Sequence, residues 1–177
     1  CLSRGLGDVY KRQSLWRRSR DTASTRSKSV CMDNILCIEK VLSWERLLRL
    51  VPERDLRLAA ALKPASRREE FLMWRSIVYR RLPDAEIAYN AVGAPVVCNY
   101  PVHIGVSHCP GYVAVCFSDR PCAVDIEPLV RDFGRAAVRF ASAEERRLSD
   151  SPLLLPALWC AKETLSLLYT SDAADDK

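Results

Sequence analysis

The chain has 177 residues, enough for one domain or two small lobes. Its 49% hydrophobic and 28% charged residues are ordinary for a globular protein, and no apolar run approaches the roughly 18 residues that would mark a membrane span. The net charge of +5 is localised, since residues 1–30 carry +6 and the remainder sums to −1, so the folded part has no basic excess to offer a nucleic acid.

Residues 1–30 are polar, Ser/Arg-rich and without sustained period, and are expected to be disordered. They have no apolar stretch of the kind a secretory signal needs. The opening CLSRGLGDVYKRQ and the closing LYTSDAADDK look like translated sequencing-adapter sequence, with Met32 as an available start. Residues 1–31 and 169–177 are therefore expected to be tails foreign to the fold. The eight cysteines are scattered without CxxC spacing, which fits reduced thiols in a cytoplasmic protein.

Ile35 to Ile38 reads as a short strand. Leu47, Leu48, Leu50 and Val51 suit a short helix ended by Pro52, and Leu56, Leu58, Ala59 and Leu62 a second one stopping before Pro64. Arg67 to Leu82 is the strongest helix, with Phe71, Leu72, Trp74, Ile77, Val78 and Leu82 at helical spacing and Pro83 ending it. Glu86 to Tyr89 is a short strand, followed by a turn through Gly93 and Pro95. Strands near 102–107, 111–117 and 121–127 are separated by turn signals and predict an antiparallel meander. Arg135 to Leu148 predicts a helix. Pro156 opens a last helix through Leu168, since proline is favoured at a first helical position. The class is α+β.

One stretch, CAVDIEPL (122–129), puts two acids into an apolar run. On a strand, Asp125 and Glu127 share one face, roughly 7 Å apart. Two unpaired carboxylates that close repel, and burial adds desolvation cost. A divalent cation removes both penalties, and oxygen-only ligands favour Mg²⁺, Mn²⁺ or Ca²⁺ over zinc. The competing reading is a strand emerging to a solvated end, with Pro128 closing it.

Two further stretches bear on that choice: IGVSHC (104–109) and WCAKET (159–164). In chain order the sequence reads GAP (93–95), IGVSHC, AVDIE, RFASAEE (139–145) and WCAKET. That succession, from about Ile35 to about Ser166, resembles the 4′-phosphopantetheinyl transferases of the larger, single-chain kind. The resemblance implies an enzyme of the holo-acyl-carrier-protein synthase type. Such an enzyme moves the phosphopantetheine arm of coenzyme A onto a serine of an acyl or peptidyl carrier protein, with Mg²⁺ or Mn²⁺, releasing 3′,5′-ADP. It implies a pseudo-two-fold pair of α+β lobes, each with a small antiparallel sheet and a long helix, here 32–103 and an incomplete 104–168. A monomer that uses neither membrane nor nucleic acid is expected.

Carried over by motif, Asp125, Glu127 and Glu163 would hold the metal, and Glu163 would also take the proton of the carrier serine. Lys162 would neutralise phosphate charge, and Glu145 matches an acid linked to activating the nucleophile. His108, with Ser107 beside it, would contact the 3′-phosphate of coenzyme A. Arg67 and Arg68 resemble the basic residues that meet the coenzyme's phosphates. The plainer alternatives are a structural His108, a solvated helix start at Arg67 and Arg68, and Trp159 as a packing residue. Cys109 beside His108 is set aside as a nucleophile because adjacent strand residues point to opposite faces. Two positions depart from the family: Leu167 stands where a second lysine is usual, and Ala94 replaces the lysine of GKP.

Overall fold

The computed structural model describes residues 34–172. The expected tail 1–31 and the last five residues of the other tail lie outside that range. Residues 169–172, expected to belong to the tail, continue a helix.

Strand β1 (Ile35–Lys40) alternates, with Ile35, Cys37 and Glu39 half-buried and Leu36, Ile38 and Lys40 exposed. Helices α1 (Trp44–Leu47), α2 (Glu53–Ala60) and α3 (Ala65–Arg81) follow. Strands β2 (Ile87–Tyr89) and β3 (Pro95–Val97) pair as a small antiparallel hairpin. Its turn is held by Asn90, whose Oδ1 accepts from the backbone N–H groups of Val92 and Ala94, with Gly93 at φ 85°. Strands β4 (His103–Cys109) and β5 (Tyr112–Ser118) form a second hairpin around Gly111, at φ 81°. The main sheet has the order β1-β5-β4 and is antiparallel throughout. The expected division at residue 103 falls between β3 and β4, so this sheet draws on both sides of it.

The register fixes two faces. Ile35 and Cys37 lie beside Phe117 and Val115, which lie beside Ile104 and Val106. This apolar face receives α3, whose Leu72, Met73, Ile77 and Val78 are almost fully buried. Helices α1 and α2 pack on α3 as well, so every residue from Phe71 to Val78 is buried. Fully burying a residue such as Leu72 or Ile77 contributes roughly 1.5–3 kcal/mol.

One residue in that stretch is not apolar. Arg75 is 1% exposed, its guanidinium lying 3.7 Å from the ring centre of Phe71 and 4.1 Å from that of Trp74. Its Nη2 donates to Tyr89 Oη at 2.9 Å, and its Nε lies 3.3 Å from Asp55 Oδ1, also buried. Asp55 Oδ2 accepts from Tyr79 Oη at 2.5 Å. The ion pair thus ties α2 to the middle of α3, and Tyr89 ties the β2–β3 hairpin to the same point.

Three sequence expectations are corrected. The short helix near 47–51 begins earlier, at Trp44, and ends at Leu47, its one buried residue, while Leu48 to Leu50 form an exposed turn. The helix expected over 135–148 is broken into α4 (Ala137–Phe140) and a 3₁₀ turn (Glu145–Arg147). Ala141 is extended there, and the Ser142 hydroxyl accepts the N–H of Glu145 at 3.1 Å while the Glu145 carboxylate accepts the N–H of Ser142 at 2.7 Å. This reciprocal capping box starts a new turn and ends the old helix. Thirdly, 121–127 joins no ladder. The last helix, α5 (Leu154–Asp172), begins one residue pair before the expected Pro156 and runs past Leu168.

Replacing Asp55 by Ala leaves a buried guanidinium without its counter-ion, and is expected to cost about 3–5 kcal/mol in urea unfolding. Adding Arg75→Met to that variant should recover part of the loss, because the two changes remove one interaction.

Candidate active site

The segment 121–127 runs across the second face of the main sheet instead of alongside it. Gly105 makes this crossing possible. A Cβ there would lie 2.7 Å from Cys116 Sγ, 2.8 Å from Ala123 Cα and 3.1 Å from the Cys122 carbonyl oxygen. The thiols of Cys116 and Cys122 meet over the same spot, and their hydrogen bond draws Cys116 down to about 7.

Ser107 lies two residues on, on the same face of β4. Its Oγ donates to Asp125 Oδ1 at 3.1 Å and accepts from the N–H of Ile126 at 3.3 Å. Asp125 Oδ2 is buried with no hydrogen-bond partner. Both acids face α5. The pKa of the Cys160 thiol is pushed up to about 12, first by burial and then by Asp125 and Glu127 beside it. Trp159 Nε1 donates to Glu127 Oε1 at 3.1 Å, and Arg131 pairs with the same oxygen. Trp159 is also a packing residue, edge-on to Phe140 at 5.1 Å.

The other acid expected at this point stands apart. Glu163 is exposed, and Cys160, one turn earlier on α5, occupies the position next to Asp125. Among the described residues no group of three His, Cys, Asp or Glu side chains is arranged to hold a metal ion. Asp125 and Glu127 nonetheless offer a partial oxygen set, and a buried carboxylate oxygen without a donor suits a cation. Mg²⁺ commonly takes only one or two protein carboxylates and completes its shell with water and phosphate oxygens.

Lys162 and Glu145 are brought together, but with each other. Lys162 Nζ donates to Glu145 Oε2 at 2.8 Å and to the Phe140 carbonyl at 2.6 Å. The Lys162 ammonium, and then the Ser142 N–H, hold the Glu145 carboxyl below its ordinary range.

His108 and Ser107 are adjacent in β4 and so point to opposite faces. Ser107 therefore positions Asp125, while His108 meets the start of α3. Arg67 Nη1 donates to His108 Nε2, and His108 Nδ1 lies 3.2 Å from Glu70 Oε2. With Arg67 on one nitrogen and Glu70 on the other, the ring is neutral and carries its proton on Nδ1. Burial, and then the Arg67 charge, lower its pKa to about 4. Burial raises the pKa of Glu70. Arg68 is half-buried on the same turn of α3. A cavity of about 350 Å³ opens beside this cluster, lined by Leu42, Ser43, Ser66, Glu69 and Glu70. Its acids disfavour anions, and Arg67 Nη1 lies 3.8 Å from Glu70 Oε2. Cys109 turns to the same face as Ser107, and burial raises its pKa, which leaves it a poor nucleophile.

Sequence reasoning missed Cys160, Trp159 Nε1 and Arg131 as partners of the acids. The i, i+1 pair 159–160 within WCAKET was the available signal.

Gly105→Ala forces the backbone at Ala123 to move and is expected to cost about 1–3 kcal/mol in urea unfolding. In NMR titration His108 should stay neutral down to about pH 4. Below the ordinary histidine pKa of about 6.5 the unfolded chain gains a proton that folded His108 refuses, so this residue's contribution to stability falls from there to about pH 4. Arg67→Met should raise the His108 pKa by removing a nearby cation. No family model matches the chain, and no curated protein matches it.

Proposed function

We propose that the chain is a phosphopantetheinyl transferase, which uses coenzyme A and a divalent cation, Mg²⁺ or Mn²⁺, to modify a serine of an acyl or peptidyl carrier protein in the cytoplasm. The observation that carries the reading is the Asp125–Glu127 pair. It is brought against α5 with one buried carboxylate oxygen of Asp125 left without a donor. The order of the motifs around it supports the same reading, as does an Arg67–His108 pair on the neighbouring face of β4.

On this reading Asp125 and Glu127 hold the cation, which supplies charge neutralisation at the pyrophosphate. Ser107 fixes the rotamer of Asp125 through its other oxygen. Arg67, with neutral His108 as acceptor behind it, presents a guanidinium to the coenzyme's 3′-phosphate, and Arg68 adds charge on the same turn. The carrier serine oxygen attacks the phosphorus that bears the pantetheine arm, and the bond to the oxygen of the departing 3′,5′-ADP breaks. Glu163, exposed one turn beyond Cys160, would take the serine proton, as its motif implies. Lys162 acts indirectly, by fixing the 142–147 turn against α5 through Glu145.

A second reading is a module that binds coenzyme A or the carrier protein without turnover. It is favoured by the exposure of Glu163 and by the commitment of Lys162 to Glu145. Incubation with coenzyme A, Mg²⁺ and an apo carrier protein separates the two. The transferase adds the mass of one phosphopantetheine arm to the carrier, loses this activity in EDTA, and falls at least about 100-fold on Asp125→Asn. Calorimetric binding of coenzyme A with no mass change would instead establish the binding module.

A further inference from the structure

Arg131 is the one cation that touches either acid of the pair among the described contacts, and its setting differs from that of an ordinary surface arginine. It pairs with Glu127 Oε1, the oxygen that also accepts from Trp159 Nε1. Its guanidinium carbon lies 4.4 Å from the centre of the Trp159 ring and 5.3 Å from that of Phe133. The pair is largely shielded, with side-chain exposures of 34% for Arg131 and 20% for Glu127, whereas the nearby Arg135–Asp132 pair is 92% and 62% exposed. Two aromatic rings and a carboxylate therefore hold the guanidinium in one place. The neighbouring acid is treated differently. Asp125 receives the Ser107 hydroxyl but no cation, and its Oδ2 has no partner.

We propose that Arg131 is the resting counter-cation of Glu127 and competes with the divalent ion for that carboxylate. The inference rests on the cation-site reading above and adds a tuning residue to it. With Arg131 in place the two acids present a net charge of −1, and without it −2. An ion that uses both carboxylates must draw Glu127 away from the guanidinium, so its affinity is lowered by whatever the pair contributes. The rings keep the displaced guanidinium nearby, ready to return when the ion leaves. Arg131 thus sets how much cation the site needs.

The test is Mn²⁺ binding to the 177-residue chain without coenzyme or carrier, followed by the loss of the free Mn²⁺ signal in electron paramagnetic resonance. Arg131→Met keeps an apolar stem against Trp159 and removes the charge. It should bind Mn²⁺ about fivefold more tightly than the unaltered chain, as expected for loss of a partly shielded ion pair. Arg131→Gln, which removes the same charge with a polar side chain, should show the same gain and serves if the Met variant does not fold. Arg131→Lys should stay near the unaltered affinity. In an Glu127→Gln background Arg131→Met should give no gain, because the competition acts through that carboxylate. Equal or weaker Mn²⁺ binding by both neutral variants would overturn the role of Arg131 while leaving the cation site standing. No Mn²⁺ binding by the unaltered chain or by either neutral variant would overturn both.

Discussion

The site depends on an absent side chain. Because Gly105 has no Cβ, the backbone at Cys122 and Ala123 rests directly on the sheet. Any other residue would lift that segment, and with it the short run that carries Asp125 and Glu127. Contact at Gly105 brings Asp125 within reach of Ser107, and Ser107 satisfies both the carboxylate and the N–H of Ile126. The polar cost of laying an unpaired backbone segment across a sheet is thus met by a serine two residues from the glycine that admits it.

The opposite face of the same strand has a different task. There β4 turns Ile104, Val106 and His108 toward α3, and the buried Arg75–Asp55 pair locks α3 to α2. The alternation of side chains in β4 therefore splits the SHC stretch between two environments. His108 leans on Arg67 and Glu70 at the start of α3, while Ser107 and Cys109 belong to the face that α5 approaches. A ligand that engaged both would have to pass round an edge of β4, the strand at one margin of the sheet.

Much of the scaffold was legible in the sequence because it follows simple periods. The alternation in β1 and the 3.6-residue stripe of α3 each report a half-buried surface, and the unbroken apolar run of β5 reports a strand covered on both faces. The hairpin partner β3 escaped notice because a three-residue strand that begins with Pro95 carries too little pattern. Segment 121–127 has the composition of a strand but lies on the sheet rather than in it, a distinction that depends on Gly105, some 20 residues away. The 135–148 pattern is helical in its apolar spacing, yet Ser142 and Glu145 spend their side chains on each other's backbone N–H groups. At the site, the pairing of Asp125 with Glu127 followed from their spacing, but their partners did not. Trp159, Cys160 and Arg131 act through contacts that only the packing of α5 creates. Arg75 was hidden for a related reason, since an arginine inside an apolar stripe is normally read as solvent-facing.

The capping box at Ser142 and Glu145 changes what a loss of function at Glu145 can mean. The same carboxylate closes a backbone turn, anchors Lys162 and thereby braces α5, the helix that carries Trp159 and Cys160 to the acids. Truncating Glu145 would release all three at once. An inactive variant at this position would therefore report slack in the frame as readily as a missing proton acceptor, and rescue by glutamine, which can still cap the turn, is what separates architecture from acid–base chemistry.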